Sequence, residues 1–138
     1  MSWDDGPEPV RIELPLRQRD ADALGHVNQA VFHELLEEAR AAFFRHAVPD
    51  ASFSGYVLAH VELDFRREIR LAERRVVGEC RVAALGRSRI ELENRLVLPD
   101  GGVAAEGTAV LVAWDEEARK PRPLTEHERR GLLPAGDR

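Results

Sequence analysis

The sequence predicts an α+β domain in which a curved antiparallel sheet of about five strands wraps one long helix. Three observations carry that prediction. Apolar residues alternate with polar ones from Val10, an apolar stripe recurs at helical spacing from Phe32 to Phe43, and strand-like segments joined by turn residues follow position 55. A chain of 138 residues fits one domain with a real core, so residues 1–138 read as a single unit.

Each element has its own signal. Residues 1–8 read as a frayed start, with Gly6 and Pro7 as breakers. Val10, Ile12, Leu14 and Leu16 then define one face of a strand, and Pro15 pushes it toward a sheet edge or a bulge. The segment DADALGHVN (20–28) breaks the alternation. Asn28 is placed to cap a helix through its side-chain oxygen, and Val27 and Phe32 are spaced as a hydrophobic staple. Phe32, Leu35, Leu36, Ala39 and Phe43 form the buried stripe of a helix over 28–46. Arg45 and His46 complement its C-terminal dipole, and Pro49 ends it. A turn at SFSG (52–55) leads to a strand over 56–65. There Val57, Ala59, Val61, Leu63 and Phe65 are expected on one face, with Leu58, His60, Glu62 and Asp64 on the other. Strands follow over 75–85, 88–98 and 103–114, separated by Gly86-Arg87 and by the turn at 99–102. Thr125 and Glu128 are spaced as the capping box of a short terminal helix.

Composition excludes several function classes. Hydrophobic residues are 43% and charged residues 33%, and no apolar run approaches the ~20 residues that cross a bilayer. The acidic, polar start does not read as a signal peptide, and the single Cys80 fits a reducing compartment, so a cytoplasmic location is expected. A net charge of −5 argues against a nucleic-acid binder. Arginines nevertheless cluster: Arg66, Arg67, Arg70, Arg74 and Arg75 fall within ten positions, and Arg87 and Arg89 follow. Such a patch on an acidic protein suits a small polyphosphate ligand.

The chemistry is concentrated in residues 19–40. A loop carboxylate, Asp22, precedes a helix start whose first amides, those of Gln29, Ala30 and Val31, lack intrahelical acceptors. Those amides and the helix dipole favour a negative oxygen, such as the oxyanion formed when a thioester carbonyl is attacked. A carboxylate one loop away is placed to attack the carbonyl or to deprotonate water. The competing reading of Asp22 is a turn former that accepts hydrogen bonds from its own loop. Asp20 reads as structural, and His26 as either a loop bond or a proton carrier. Alternate carboxylates resemble a calcium loop, but Leu24 and Val31 stand where further ligands belong, so no metal is expected. No GxSxG elbow is present, and Cys80, within a strand, reads as packing.

Residues 19–40 resemble the signature of the hydroxybenzoyl-CoA thioesterase family of hotdog proteins, approximately D-x-D-x-x-G-H-V-N-N-x-x-Y-x-x-Y-x-E-x-A-R. The matches are Asp20, Asp22, Gly25, His26, Val27, Asn28, Glu38, Ala39 and Arg40, with Glu37 also acidic. Gln29, Phe32 and Leu35 depart from it. The resemblance implies a hotdog-fold acyl-CoA thioesterase without a cofactor. Asp22 would be its catalytic carboxylate, the Gln29 amide its oxyanion donor, and His26 a contributor to catalysis or to loop structure. Asn28, Phe32 and His60 are candidate substrate contacts, and Arg66, Arg67, Arg70, Arg87 and Arg89 candidate partners of the CoA phosphates. A sheet left half-covered by one helix calls for a second copy, so a homodimer or homotetramer with the site at a subunit interface is expected. Two alternatives stand beside this: a non-catalytic acyl-CoA-binding module, and a thioesterase acting on acyl carrier protein.

Overall fold

The structure, a computed structural model, describes residues 3, 6–50 and 55–133. In chain order these form β1 (Val10–Pro15), α1 (Gln29–Ala47), β2 (Tyr56–Phe65), β3 (Arg75–Leu85), β4 (Arg89–Val97), β5 (Val103–Asp115), β6 (Lys120–Pro121) and α2 (Glu126–Leu132). The sheet is antiparallel in the order β1-β3-β4-β5-β2, with β6 a two-residue addition at the end of β5. Three residues of the expected SFSG turn, 52–54, lie outside the described residues.

Helix α1 begins and ends within one residue of the predicted bounds, because its stripe has one place to go. Val31, Phe32, Leu35, Leu36, Ala39, Phe43 and Phe44 are buried against the concave face of the sheet. Each of these side chains except Ala39 contributes roughly 1.5–3 kcal/mol by leaving water. The core has two parts along the helix. Near its N-terminal half, Phe32, Leu35 and Leu36 meet Leu14, Ile69, Val76 and Leu96. Near its C-terminal half, Phe43 and Phe44 meet Tyr56, Ile90, Leu92, Leu111, Leu124 and Leu132. Helix and sheet approach closely at Gly78, where an added Cβ would lie 2.7 Å from Ala39 Cβ and 3.1 Å from Leu14 Cδ1.

One end of the sheet path answers a sequence signal and the other departs from it. β1, with Pro15, is an edge strand. β2 is the other edge, and here the expected two-face split is corrected. A bulge between Leu58 and His60 adds one residue and reverses the alternation. Tyr56 and Leu58 pair with Ala113 and Leu111, while Val61, Leu63 and Phe65 pair with Ala109, Gly107 and Ala105. All five therefore share the helix-facing side, and Val57 belongs with His60, Glu62 and Asp64 on the other.

The terminal helix has the expected capping box. Glu128 N donates to Thr125 Oγ1 at 3.1 Å and Thr125 N to Glu128 Oε1 at 2.7 Å. Glu128 also accepts from the Tyr56 hydroxyl at 2.5 Å and from both terminal nitrogens of Arg122 at 2.8 and 2.9 Å. Burial opposes ionisation of Glu128, but the bonds from Arg122 and Thr125 outweigh it and hold its pKa at about 2. Cys80 is sealed in the core, and burial pushes its thiol up to about 12, in keeping with a packing role.

Candidate active site

The loop before α1 is a tight hairpin built by its own backbone. Asp22 N donates to His26 O at 2.9 Å, Gly25 N to Asp22 O at 3.0 Å, and Asn28 N to Asp20 O at 3.1 Å. Gly25 turns the chain with φ at +82°, a conformation other residues resist. The hairpin is strapped to the segment after β2 by Val27 N to Ile69 O and Leu71 N to Gly25 O, both 2.8 Å. Asp20 is 1% exposed and structural. It accepts from Arg17 N at 2.7 Å and pairs with the Arg17 guanidinium at 3.2 Å.

Asp22 is exposed at the hairpin tip. Its Oδ1 accepts from Leu24 N at 2.9 Å and His26 N at 3.0 Å. One carboxylate oxygen is thus committed to its own loop, the bonding of a turn former, and Oδ2 is left for other work. Hydrogen bonding from the His26 amide, opposed by desolvation and helped by the Leu24 amide, lowers the Asp22 pKa from its ordinary value. The group is a carboxylate at neutral pH.

Asn28 occupies the N-cap position, but its side chain makes no capping bond. Its own carbonyl takes the Val31 amide at 2.9 Å, the donor that the side chain would otherwise have met. The amides of Gln29 and Ala30 have no acceptor among the described residues. Val27 and Phe32 are both buried in one cluster, as the staple requires.

The helix start opens onto a cleft of about 330 Å³ lined by His26, Val27, Gln29, Phe32, Phe65, Arg66, Arg67 and Glu68. Its apolar wall is the edge-to-face pair Phe32–Phe65, with ring centroids 5.2 Å apart. His26 Nε2 lies 3.5 Å from a carboxylate oxygen of Glu68. Arg66 is loosely paired with Asp64 at 3.4 Å and Glu106 at 3.7 Å, whereas Arg67 is held by Asp100 at 2.9 Å. The backbones of both arginines are fixed by bonds to Ala104 O.

Five of the expected site residues thus meet around one opening: His26, Gln29, Phe32, Arg66 and Arg67. Asp22 and Asn28 stand in the adjoining loop, outside the cleft wall. Arg70 is bridged to His26 through the backbone, while its guanidinium turns to Glu73 at 3.7 Å. His60 is exposed in mid-β2 beside Glu62, at 3.1 Å. Arg87 and Arg89 lie at the other end of the sheet, where Arg89 pairs with Val112 and the Arg87 carbonyl accepts from Leu124 N. Within one chain they are apart from the cleft. Phe65 and Glu68 were not singled out as site residues from sequence. Phe65 carried only the end of an alternation, and Glu68 no signal at all.

This arrangement suits a ligand with an electrophilic oxygen-bearing carbon, an apolar part and phosphates. Comparison with known proteins identifies the family. A family model described as the thioesterase-like superfamily matches residues 16–132. A Thermus thermophilus thioesterase solved in complex with coenzyme A and zinc is 37% identical, covers 91% of this chain and 92% of its own, and superposes with a TM-score of 0.80. A Staphylococcus aureus protein in complex with CoA has the same fold at 11% identity, with 91% and 82% of the two chains covered and a TM-score of 0.79. The S. aureus DHNA-CoA thioesterase superposes at 0.73 with 18% identity, over 84% and 80% of the two chains. No curated protein matches the sequence at a significant level. The curled five-stranded sheet around α1 is the hotdog arrangement of these structures, and the chain belongs to the thioesterase-like superfamily of thioester hydrolases.

Proposed function

We propose that the protein hydrolyses an acyl-CoA thioester to the free acid and CoA. The observation that carries this reading is the pair of unbonded amides, those of Gln29 and Ala30, at a helix start that opens onto a cleft with one apolar wall and two arginines. The thioester carbonyl oxygen sits at those amides, and the acyl group follows Phe32 and Phe65. Asp22 acts through its uncommitted Oδ2, either attacking the carbonyl carbon or taking a proton from the attacking water. The tetrahedral oxyanion is held by the helix-start amides, the C–S bond breaks, and the departing sulfur is protonated to give CoA; where Asp22 has attacked directly, water then hydrolyses the acyl–Asp22 anhydride, releasing the free acid and restoring the carboxylate. His26, beside Glu68, positions the loop or relays that proton, and Asn28, uncapped and exposed, faces the substrate. Arg66 is the freest cation at the cleft and meets the CoA phosphates first, with Arg67 and Arg70 behind it. The Thermus relative seen with coenzyme A supports this class of substrate.

The site works in a homodimer or a homotetramer. A second copy along the β2 edge closes the cleft and brings its own Arg87, Arg89 and His60 toward the ligand. The proposed location is the cytoplasm; among the described residues no helix is long and apolar enough to cross a membrane.

The deciding experiment is a hydrolysis screen over aryl, short-chain and long-chain acyl-CoAs, reading free thiol. Turnover of at least one class is expected. Tight acyl-CoA binding with no turnover of any class would refute the reading. Turnover only of the matching acyl-carrier-protein thioesters would move the substrate to carrier proteins.

A further inference from the structure

The core between α1 and the sheet is not wholly apolar. Arg40 is 4% exposed, its Nε makes no hydrogen bond among the described residues, and it forms no ion pair there. On β4, Asn94 is 2% exposed, and its Oδ1 and Nδ2 make no well-formed hydrogen bond among the described residues. The neutral thiol of Cys80, opposite Asn94 in the β3–β4 ladder, adjoins both side chains. A cation and an amide are thus buried with no anion between them. A guanidinium left in this state is costly, because the solvation it loses is not replaced. Nearby groups do not supply the missing partner. The Tyr56 hydroxyl is committed to Glu128, and Glu128 to Arg122, while Glu37 is exposed and attracts Arg40 without touching it.

Arg40 lines an opening of about 200 Å³ with Glu37, Tyr56, Leu58 and Leu111. That opening and the cleft at the helix start belong to one furrow. Helix α1 packs mainly on β1, β3 and β4, which leaves a gap between it and β2. Gln29, Phe32 and Phe65 line one end of the gap, and Arg40, Leu58 and Tyr56 line the other. His33, edge-on to Phe65, and Leu63, on the helix-facing side of β2, stand between them. Counted along an ideal helix, Phe32 and Arg40 are about 12 Å apart. Helical side chains lean toward the N-terminus, which carries the guanidinium back toward the cleft.

We propose that Arg40 is a specificity residue that receives a carboxylate at the far end of the acyl group, so that the preferred substrates are CoA thioesters of dicarboxylic acids. This rests on the acyl-CoA reading above and names its substrate class. The acyl chain leaves the thioester at Gln29 and Ala30, passes Phe32, Phe65 and Leu63, and ends in the opening. There its carboxylate meets the planar donor fork of Arg40 in a charge-assisted pair, stronger than a neutral hydrogen bond. A plain alkyl end leaves the guanidinium buried and unpaired, and so binds less well. Glu37, at the rim, repels the same carboxylate and holds its affinity below what Arg40 alone would give.

The test pairs CoA thioesters of linear dicarboxylic acids with monocarboxylic ones of equal length, from short to long chains. The wild type is expected to favour the dicarboxylic member by at least about 10-fold in kcat/KM at its best length, the worth of one charge-assisted bond. Arg40→Met keeps the bulk and removes the charge. It should lose far more on the dicarboxylic member than on the plain one, whereas a purely structural role would lower both alike. Should Arg40→Met fail to fold, Glu37→Gln replaces it, and loss of the rim charge should raise the preference about 2–5-fold, the worth of one exposed charge pair. Equal kcat/KM for both members at every length in the wild type would overturn the inference. So would a preference that survives Arg40→Met or, in its place, one that Glu37→Gln leaves unchanged. If no thioester is hydrolysed, the hydrolase reading fails by itself. Calorimetric affinities of the same pairs then decide this inference, with the same ratio expected and equality overturning it.

Discussion

Replacing Asp22 by asparagine and by alanine separates two roles that the loop geometry allows. Oδ1 accepts two loop amides, at 2.9 and 3.0 Å, and Oδ2 has no partner within the hairpin. Asparagine keeps the first oxygen and so preserves both amide bonds, but it loses the charge and converts the free oxygen into a donor. Alanine loses everything, although water replaces the acceptor at so exposed a tip. If the charge does the chemistry, both variants should lose about 10²–10⁴-fold in kcat with little change in KM, the usual contribution of a positioned base. Thermal melting of Asp22→Asn should stay close to that of the wild type. The assay is release of CoA thiol from the best acyl-CoA of the screen, with a melt on the same samples. Asp22→Asn at wild-type rate with Asp22→Ala inactive would show that residue 22 only shapes the loop, and the mechanism proposed here would fail. The pH profile adds a check of sign. The carboxylate is the active form and its pKa is depressed, so activity is present above that pKa and lost only as pH falls through it. No acid limb from this group should appear between about pH 5 and 8.

Further expectations follow from other contacts. Arg66→Ala should raise KM for CoA thioesters several-fold with kcat nearly unchanged, and more than Arg67→Ala does, because Arg67 is already held by Asp100 at 2.9 Å; equal effects would remove the distinction. Gly78→Ala should destabilise the protein by about 1–3 kcal/mol in urea unfolding, since the added methyl meets Ala39 Cβ at 2.7 Å and must push α1 from the sheet. Glu128, held at about 2, adds stability that is present above its unfolded pKa and lost as pH falls from about 4.5 toward 2. Over that range the wild type should therefore lose more stability than Glu128→Gln, as followed by denaturant melts at each pH.

The elements legible in the sequence are those whose signal is local. The stripe from Phe32 to Phe43 needs one buried face and found it, and Thr125 and Glu128 cap α2 through bonds three residues apart. What was misread depended on partners distant in sequence. The β2 faces reverse because one bulge, set against β5, adds a residue that no periodicity in 56–65 reveals. Asn28 has the composition of a cap, yet its carbonyl reached the Val31 amide first. The arginines looked like one cluster because they are near in sequence. A hairpin carries Arg87 and Arg89 to the far end of the sheet, while Arg66 and Arg67 stay anchored to Ala104 beside the cleft. Proximity along a strand-rich chain is a poor guide to proximity in space.

The two backbone bonds joining Gly25 and Val27 to Leu71 and Ile69 have a consequence for transplantation. A chimera that imports the hairpin of a relative without its 65–71 strand exit would join surfaces shaped for different neighbours. Carboxylate, helix mouth and cationic rim would then lose their common alignment. Exchanged as a pair, the two segments should travel as one cassette.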